Sequence, residues 1–153
     1  MKKSSIACLI LVLVAILIVG LPFLPAITNY SILDDLTDDF EDEIEDFDDD
    51  IEIIEIKSTY GNLMGNGNKI SYFGAALIQK DSVADIDALV ASLDESFEFV
   101  EYSNQNSQKI ESKYLEHKSL EFKTNISDGD NYISVIFYNS YHPKSNLLDI
   151  AGH

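Results

Sequence analysis

The chain has no arginine, a single cysteine, and no basic residue of any kind between Lys3 and Lys57. Each absence removes a class of explanation. Without arginine, the bidentate contacts that best hold phosphates and base edges are missing. The net charge is −17, whereas a DNA or RNA partner needs clustered cations to displace its counterions, so nucleic acid is not an expected partner. The one cysteine, Cys8, lies in an apolar run, and no disulfide can form within the chain. A domain of about 100 residues can fold without one, because it buries roughly 60–70% of its unfolded surface.

Recognisable catalytic frames are also missing. There is no Gly-x-Ser-x-Gly elbow. The glycines Gly61, Gly65 and Gly67 have the wrong spacing for a phosphate loop. Asn66 stands where the second loop glycine belongs, and Gly67-Asn68-Lys69 lacks the Gly-Lys-Ser/Thr ending. Ile70 occupies the third-glycine position of a dinucleotide fingerprint. The histidines His117, His142 and His153 have no companion at metal-ligand spacing. No cofactor is expected, and catalysis is not indicated.

What is present begins at the N-terminus. Lys2 and Lys3 precede an apolar run over 6–19, 14 residues long, within the ~7–15 of a signal-peptide core. Extended to Ile27 it reaches 22 residues, close to the ~20 that cross a ~30 Å hydrocarbon layer. Cleavage after Ala26 would put the bulky Leu24 three residues before the cut, which favours a retained anchor over a removed signal. Residues 1–27 are therefore read as a membrane anchor or signal segment, with the lipid bilayer as partner through residues 6–27. Positive flanks collect on the cytoplasmic side. The N-terminus is expected inside and the C-terminal domain outside a single-pass cell-membrane protein; secretion after cleavage is the alternative.

Next comes acid. Asp34, Asp35, Asp38, Asp39, Glu41, Asp42, Glu43, Glu45, Asp46, Asp48, Asp49, Asp50, Glu52 and Glu55 make up 14 of the chain's 27 carboxylates. From Ile56 onward 13 acids face 8 lysines, a net of about −5, so the remainder is ordinarily acidic. Leu33, Leu36, Phe40, Ile44, Phe47, Ile51 and Ile54 recur at steps of three and four, a helical period. Ser31-Ile32-Leu33-Asp34 fits a capping-box start. Eight like-charge pairs four residues apart oppose the helix by ~0.2–0.5 kcal/mol each, together roughly 2–4 kcal/mol. Residues 28–50 are thus an acidic stand-off linker or an amphipathic helix. The helix forms only where its apolar stripe docks on the domain, on a second copy or on another protein, and that stripe is the candidate surface for a protein partner or self-association. Asp46, Asp48, Asp49 and Asp50 are cation candidates by residue type, although the Asp-x-Asp-x-Asp-Gly frame is absent.

Residues 51–153 read as an extracytoplasmic α+β domain. Strands are expected over 51–57, 69–80, 96–102, 119–124 and 131–139, and a helix over 82–94 with a capping box from Ser82 to Asp85. Residues 109–116 fit neither period. Residues 147–150 are expected to close the chain as a short helix. The 69–80 segment is apolar on both faces, which marks a central strand. The expected fold is an N-terminal transmembrane helix followed by a small antiparallel sheet with one packed helix. The tyrosine-bearing face of 131–139, with Tyr132 and Tyr138, is a candidate peptide or glycan platform. Sequons start at Asn29 and Asn125, and Asn125 falls at a turn and is the glycosylation candidate. The expected role is a non-enzymatic interaction or accessory module; the alternative is an extracytoplasmic hydrolase of envelope material.

Overall fold

The computed structural model describes residues 10–15, 20, 24–65, 69–127 and 129–140. Within them the chain forms an α+β unit around one antiparallel sheet. The elements are α1 (Leu24–Phe47), β1 (Ile53–Gly61), β2 (Ser71–Gln79), α2 (Ile86–Leu93), β3 (Phe99–Asn104) and β4 (Tyr132–Asn139). The strand order is β1-β2-β4-β3, and every neighbouring pair is antiparallel. β1 and β2 form a hairpin. α2 carries the chain from β2 to β3, leaving a gap that β4 fills.

Both faces of the sheet are covered, which is why β2 is buried at all but its last position. α1 and α2 cover one face. There Phe40 and Ile44 of α1 and Leu89 and Leu93 of α2 meet Ala76, Ile78, Val135 and Phe137 of the sheet. The other face lies under the irregular excursion between β3 and β4, where Ile110, Tyr114, Leu115, Phe122 and Ile126 pack on Phe73, Ala75, Leu77 and Ile136. Two helices therefore pack on the sheet, not the single one expected.

α1 is a helix despite its charge because it docks on its own domain. It buries Ile32, Leu33, Phe40 and Ile44. At about 1.5–3 kcal/mol per buried side chain this contributes roughly 6–12 kcal/mol, an upper figure that still outweighs the like-charge repulsion. The helix runs straight through Ser31, so that serine is not its cap. The apolar period also overshoots the end. Phe47 is exposed, and the chain then leaves the helix through a turn in which Asp48 Oδ1 accepts from the Asp50 amide at 3.0 Å. Beyond it Ile51 and Ile53 face the helices, while Ile54 faces the excursion. The register shift between Ile53 and Glu55 explains why the alternation breaks there.

Two further expectations are corrected. α2 starts at Ile86 and is capped by Asp85, whose side chain accepts from the Ala88 amide at 3.1 Å. Ser82 instead ties two segments together: its Oγ donates to the Gln79 carbonyl at 2.6 Å and accepts from the Glu52 amide at 2.9 Å. Residues 119–124 are not a strand and contribute only one bridge, Lys109 with Glu121. The alternation of Leu120 and Phe122 was real, but it points those side chains inward from a loop. The ambiguous stretch 109–116 contains a single 3-10 turn, Lys113–Leu115.

Among the described residues no helix is long and apolar enough to cross a membrane. Much of the expected span, residues 6–9, 16–19 and 21–23, lies outside them, as do Cys8, Gly67, His142, His153 and the expected closing helix at 147–150.

Candidate functional site

Three surfaces carry unusual chemistry. The first is the N-terminal half of α1. Leu24, Ile27 and Tyr30 are exposed, at 44%, 63% and 62%, on the side of the helix that faces away from the sheet. The helical residues 10–15 are equally apolar and exposed. The inner side is fastened early: Tyr60 Oη donates to the Ala26 carbonyl at 3.3 Å, and Tyr72 Oη donates to Asn29 Oδ1 at 2.8 Å in a buried setting. Ile32, Leu33 and Tyr72 then form a small apolar cluster. Asn29 is thus a buried polar group with a partner, and its sequon is closed in the folded chain.

The second surface is the outward side of α1. Asp34, Asp35, Asp38, Asp39, Asp42, Glu45 and Asp46 are all exposed along one helix held by its opposite face. They form a rigid row of carboxylates, and the last turn has no cation to complement the helix dipole. The cation candidates do not converge. Asp46 lies in that last turn, Asp48 caps the following turn, and Asp49 and Asp50 are exposed. Among the described residues no three His, Cys, Asp or Glu side chains are gathered as metal ligands.

The third surface is the excursion over the far face of the sheet. A broad open groove of about 920 Å³ is lined by residues 109–113 and 115–119, including Lys109, Glu111, Lys113, Glu116, His117 and Lys118. The excursion is irregular yet firmly held. Gln105 is buried, and its Nε2 donates to the carbonyls of Ser107 at 2.7 Å and Lys109 at 2.8 Å. Ser112 caps the 3-10 turn and also donates to Glu101 Oε1 at 3.1 Å. The imidazole of His117 fills the space beside Gly65, so a Cβ there would overlap it, and Gly65 also has a φ of +67° that favours glycine. Lys118 Nζ donates to the Tyr60 carbonyl at 2.9 Å.

Glu55 ties this excursion to β1. Its carboxylate accepts from the Lys123 amide at 2.9 and 3.0 Å, from the Thr124 amide and hydroxyl at 2.9 Å, and from Lys57 Nζ at 2.8 Å. Desolvation by burial pulls its pKa upward, but the bond to Lys57 and those to Lys123 and Thr124 win and lower it to about 2. A carboxylate so strongly held in its charged form positions a loop; it does not carry protons at neutral pH. Nothing local in the sequence marks this role, because Glu55 lies at the end of an acid-rich tract and the amides it holds are almost seventy residues away.

The tyrosine face of β4 is spent on packing. Tyr138 stacks on Tyr114 at 4.3 Å and donates its hydroxyl to Ser71 Oγ at 3.0 Å, beneath the excursion. Tyr132 packs against the same cluster. Asn125 is exposed in the excursion. On the edge strand β3, Phe99 and Tyr102 remain exposed. Tyr102 donates to Asp87 Oδ1 at 3.0 Å; that bond, then the charge of Asp87, raises its pKa above the ordinary tyrosine value. Beside it lies a cavity of about 520 Å³ bordered by Lys80, Val83, Ile86, Asn104 and Ile133.

Comparison of the chain with protein-family models, with curated proteins and with solved structures finds no match.

Proposed function

We propose that this is a single-pass membrane protein whose N-terminal segment anchors it and whose α+β domain stands outside the cell membrane as a non-enzymatic interaction module. One observation carries the reading: an uncharged run from residue 6 to 27 has only lysines before it and only carboxylates after it for some thirty residues. A bilayer reads that asymmetry as a direction, because the positive flank stays on the cytoplasmic side. The exposed Leu24 and Ile27 on α1 support the same reading, since they continue the apolar run on the side turned from the domain.

The interaction role rests on the outward side of α1. Its apolar stripe is used inside the domain, so what it offers a partner is a fixed row of carboxylates. The partner that suits such a row is a protein with a basic surface.

The test uses the full chain with a C-terminal epitope. The protein stays in the membrane pellet after alkaline carbonate washing, and protease added to intact cells removes the epitope. Release by carbonate, or an epitope cut only after lysis, overturns the reading. A basic partner, once captured, dissociates when Asp35, Asp38, Asp39 and Asp42 are changed together to Asn; retention at wild-type level removes the carboxylate row from the account.

A further inference from the structure

Resting on the anchored reading above, we propose that the domain sits directly on the bilayer. The end of the sheet where β1 closes and β2 opens lies in the lipid headgroup layer, with Tyr30, Tyr60, Met64, Lys69 and Lys118 in contact with phospholipid headgroups.

The first argument is distance. The apolar run ends at Ile27, yet the domain already holds α1 at Ala26 and Asn29 through Tyr60 and Tyr72. No chain is left over to space the domain from the membrane. From Ile27 to Asp34 the helix rises about 10 Å, at ~1.5 Å per residue. A headgroup layer is roughly 5–7 Å deep on each side. The first carboxylate therefore clears the headgroups, while the residues that clasp the start of α1 lie level with them.

The second argument is which end of the domain that is. α1 runs along the sheet from Tyr60 and Tyr72, at the close of β1 and the start of β2, toward Ile51 and Ile53 at the opposite end. The near end carries side chains suited to an interface: exposed Tyr30 and half-buried Tyr60 bring aromatic rings with a polar tip, and exposed Lys69 and Lys118 bring cations on long stems. Its carboxylates are Glu116, Glu98 bonded to Ser140, Asp94 bonded to the Val100 amide with Glu95 beside it, and, a turn farther along α1, Asp34 and Asp35. Asp48, Asp49, Asp50 and Glu52 lie at the far end together with Lys80, which donates to Asn104. The direction of the helix therefore sets which end meets the bilayer, and Lys69 and Lys118 are the cations there that reach its phosphates.

The chain contains no tryptophan, so a single introduced one reports its own depth. The full chain is reconstituted in vesicles of phosphatidylcholine and phosphatidylglycerol, with and without bromine on the acyl chains near the headgroups. Met64→Trp probes the near end and Asp50→Trp the far end; Lys69→Trp replaces the first probe if circular dichroism shows that Met64→Trp does not fold. With headgroups only roughly 5–7 Å deep, the near-end probe loses at least roughly half its emission to bromine and the far-end probe keeps its emission. If the chain floats with the vesicles but the near-end probe is unquenched, the seating is wrong and the anchor stands. If the chain does not float, the anchor itself fails and the seating fails with it.

Discussion

Glu55 shows how one side chain secures an irregular segment. Its folded pKa of about 2 lies below its ordinary value of 4.5. A depressed pKa adds stability that is fully present above the unfolded value and is lost as pH falls toward the folded one. Acid titration of unfolding should therefore show a loss between about pH 4.5 and pH 2 that Glu55→Gln abolishes. The same substitution should cost about 1–3 kcal/mol in urea at neutral pH, because it weakens charge-assisted bonds to Lys123 and Thr124. Gly74 makes the opposite point, a residue valued for what it lacks. A Cβ there would overlap the ring of Phe137, its cross-strand neighbour. That ring lies 4.8 Å from Phe40 and 4.9 Å from Phe97, so it has little room to yield. Gly74→Ala should destabilise by about 1–3 kcal/mol, and combining it with Phe137→Leu should cost less than the sum of the two single changes in a double-mutant cycle.

Among the elements, α1 has the conflict with the most consequence. Its inner face is held by core residues and its last turn carries Glu45 and Asp46 at the negative end of the helix dipole. Added salt should therefore raise thermal stability, since it screens repulsion more than attraction. Asp46→Lys should stabilise by about 0.3–1 kcal/mol, read as a higher urea midpoint with an unchanged slope. Element type was largely legible here. The spacing of Leu33, Leu36, Phe40 and Ile44 marked a helix, and the two-sided apolarity of 69–80 marked the central strand that β2 became. Boundaries were not, for identifiable reasons. Ile51 and Ile54 kept the helical spacing by coincidence across a turn and a bulge. Leu120 and Phe122 alternated like a strand because a loop was covering a sheet face. The clasp of Glu55 and the pairing of Asn29 with Tyr72 join residues distant in sequence, and no local pattern announces such pairs.

At the scale of the molecule, the core does not begin at residue 51. Phe40 and Ile44 are fully buried in the same cluster as Leu89, Val135 and Phe137. A fragment covering 51–153 should lack a cooperative unfolding transition and bind a hydrophobic dye, whereas the chain with α1 should unfold in one step. The charge is as unevenly placed as the core is shared, with carboxylates along one helix and every lysine elsewhere.

The early fastening of α1 bears on when the chain is cut, if it is cut. The residue best suited to precede a leader cleavage, Ala26, is wound into the helix, and its carbonyl accepts the Tyr60 hydroxyl. A protease that takes its substrate as an extended strand meets a helical bond here once the fold has closed. On the anchored topology proposed above, the order of folding and cutting decides the outcome: a chain whose α1 seats first keeps its tether.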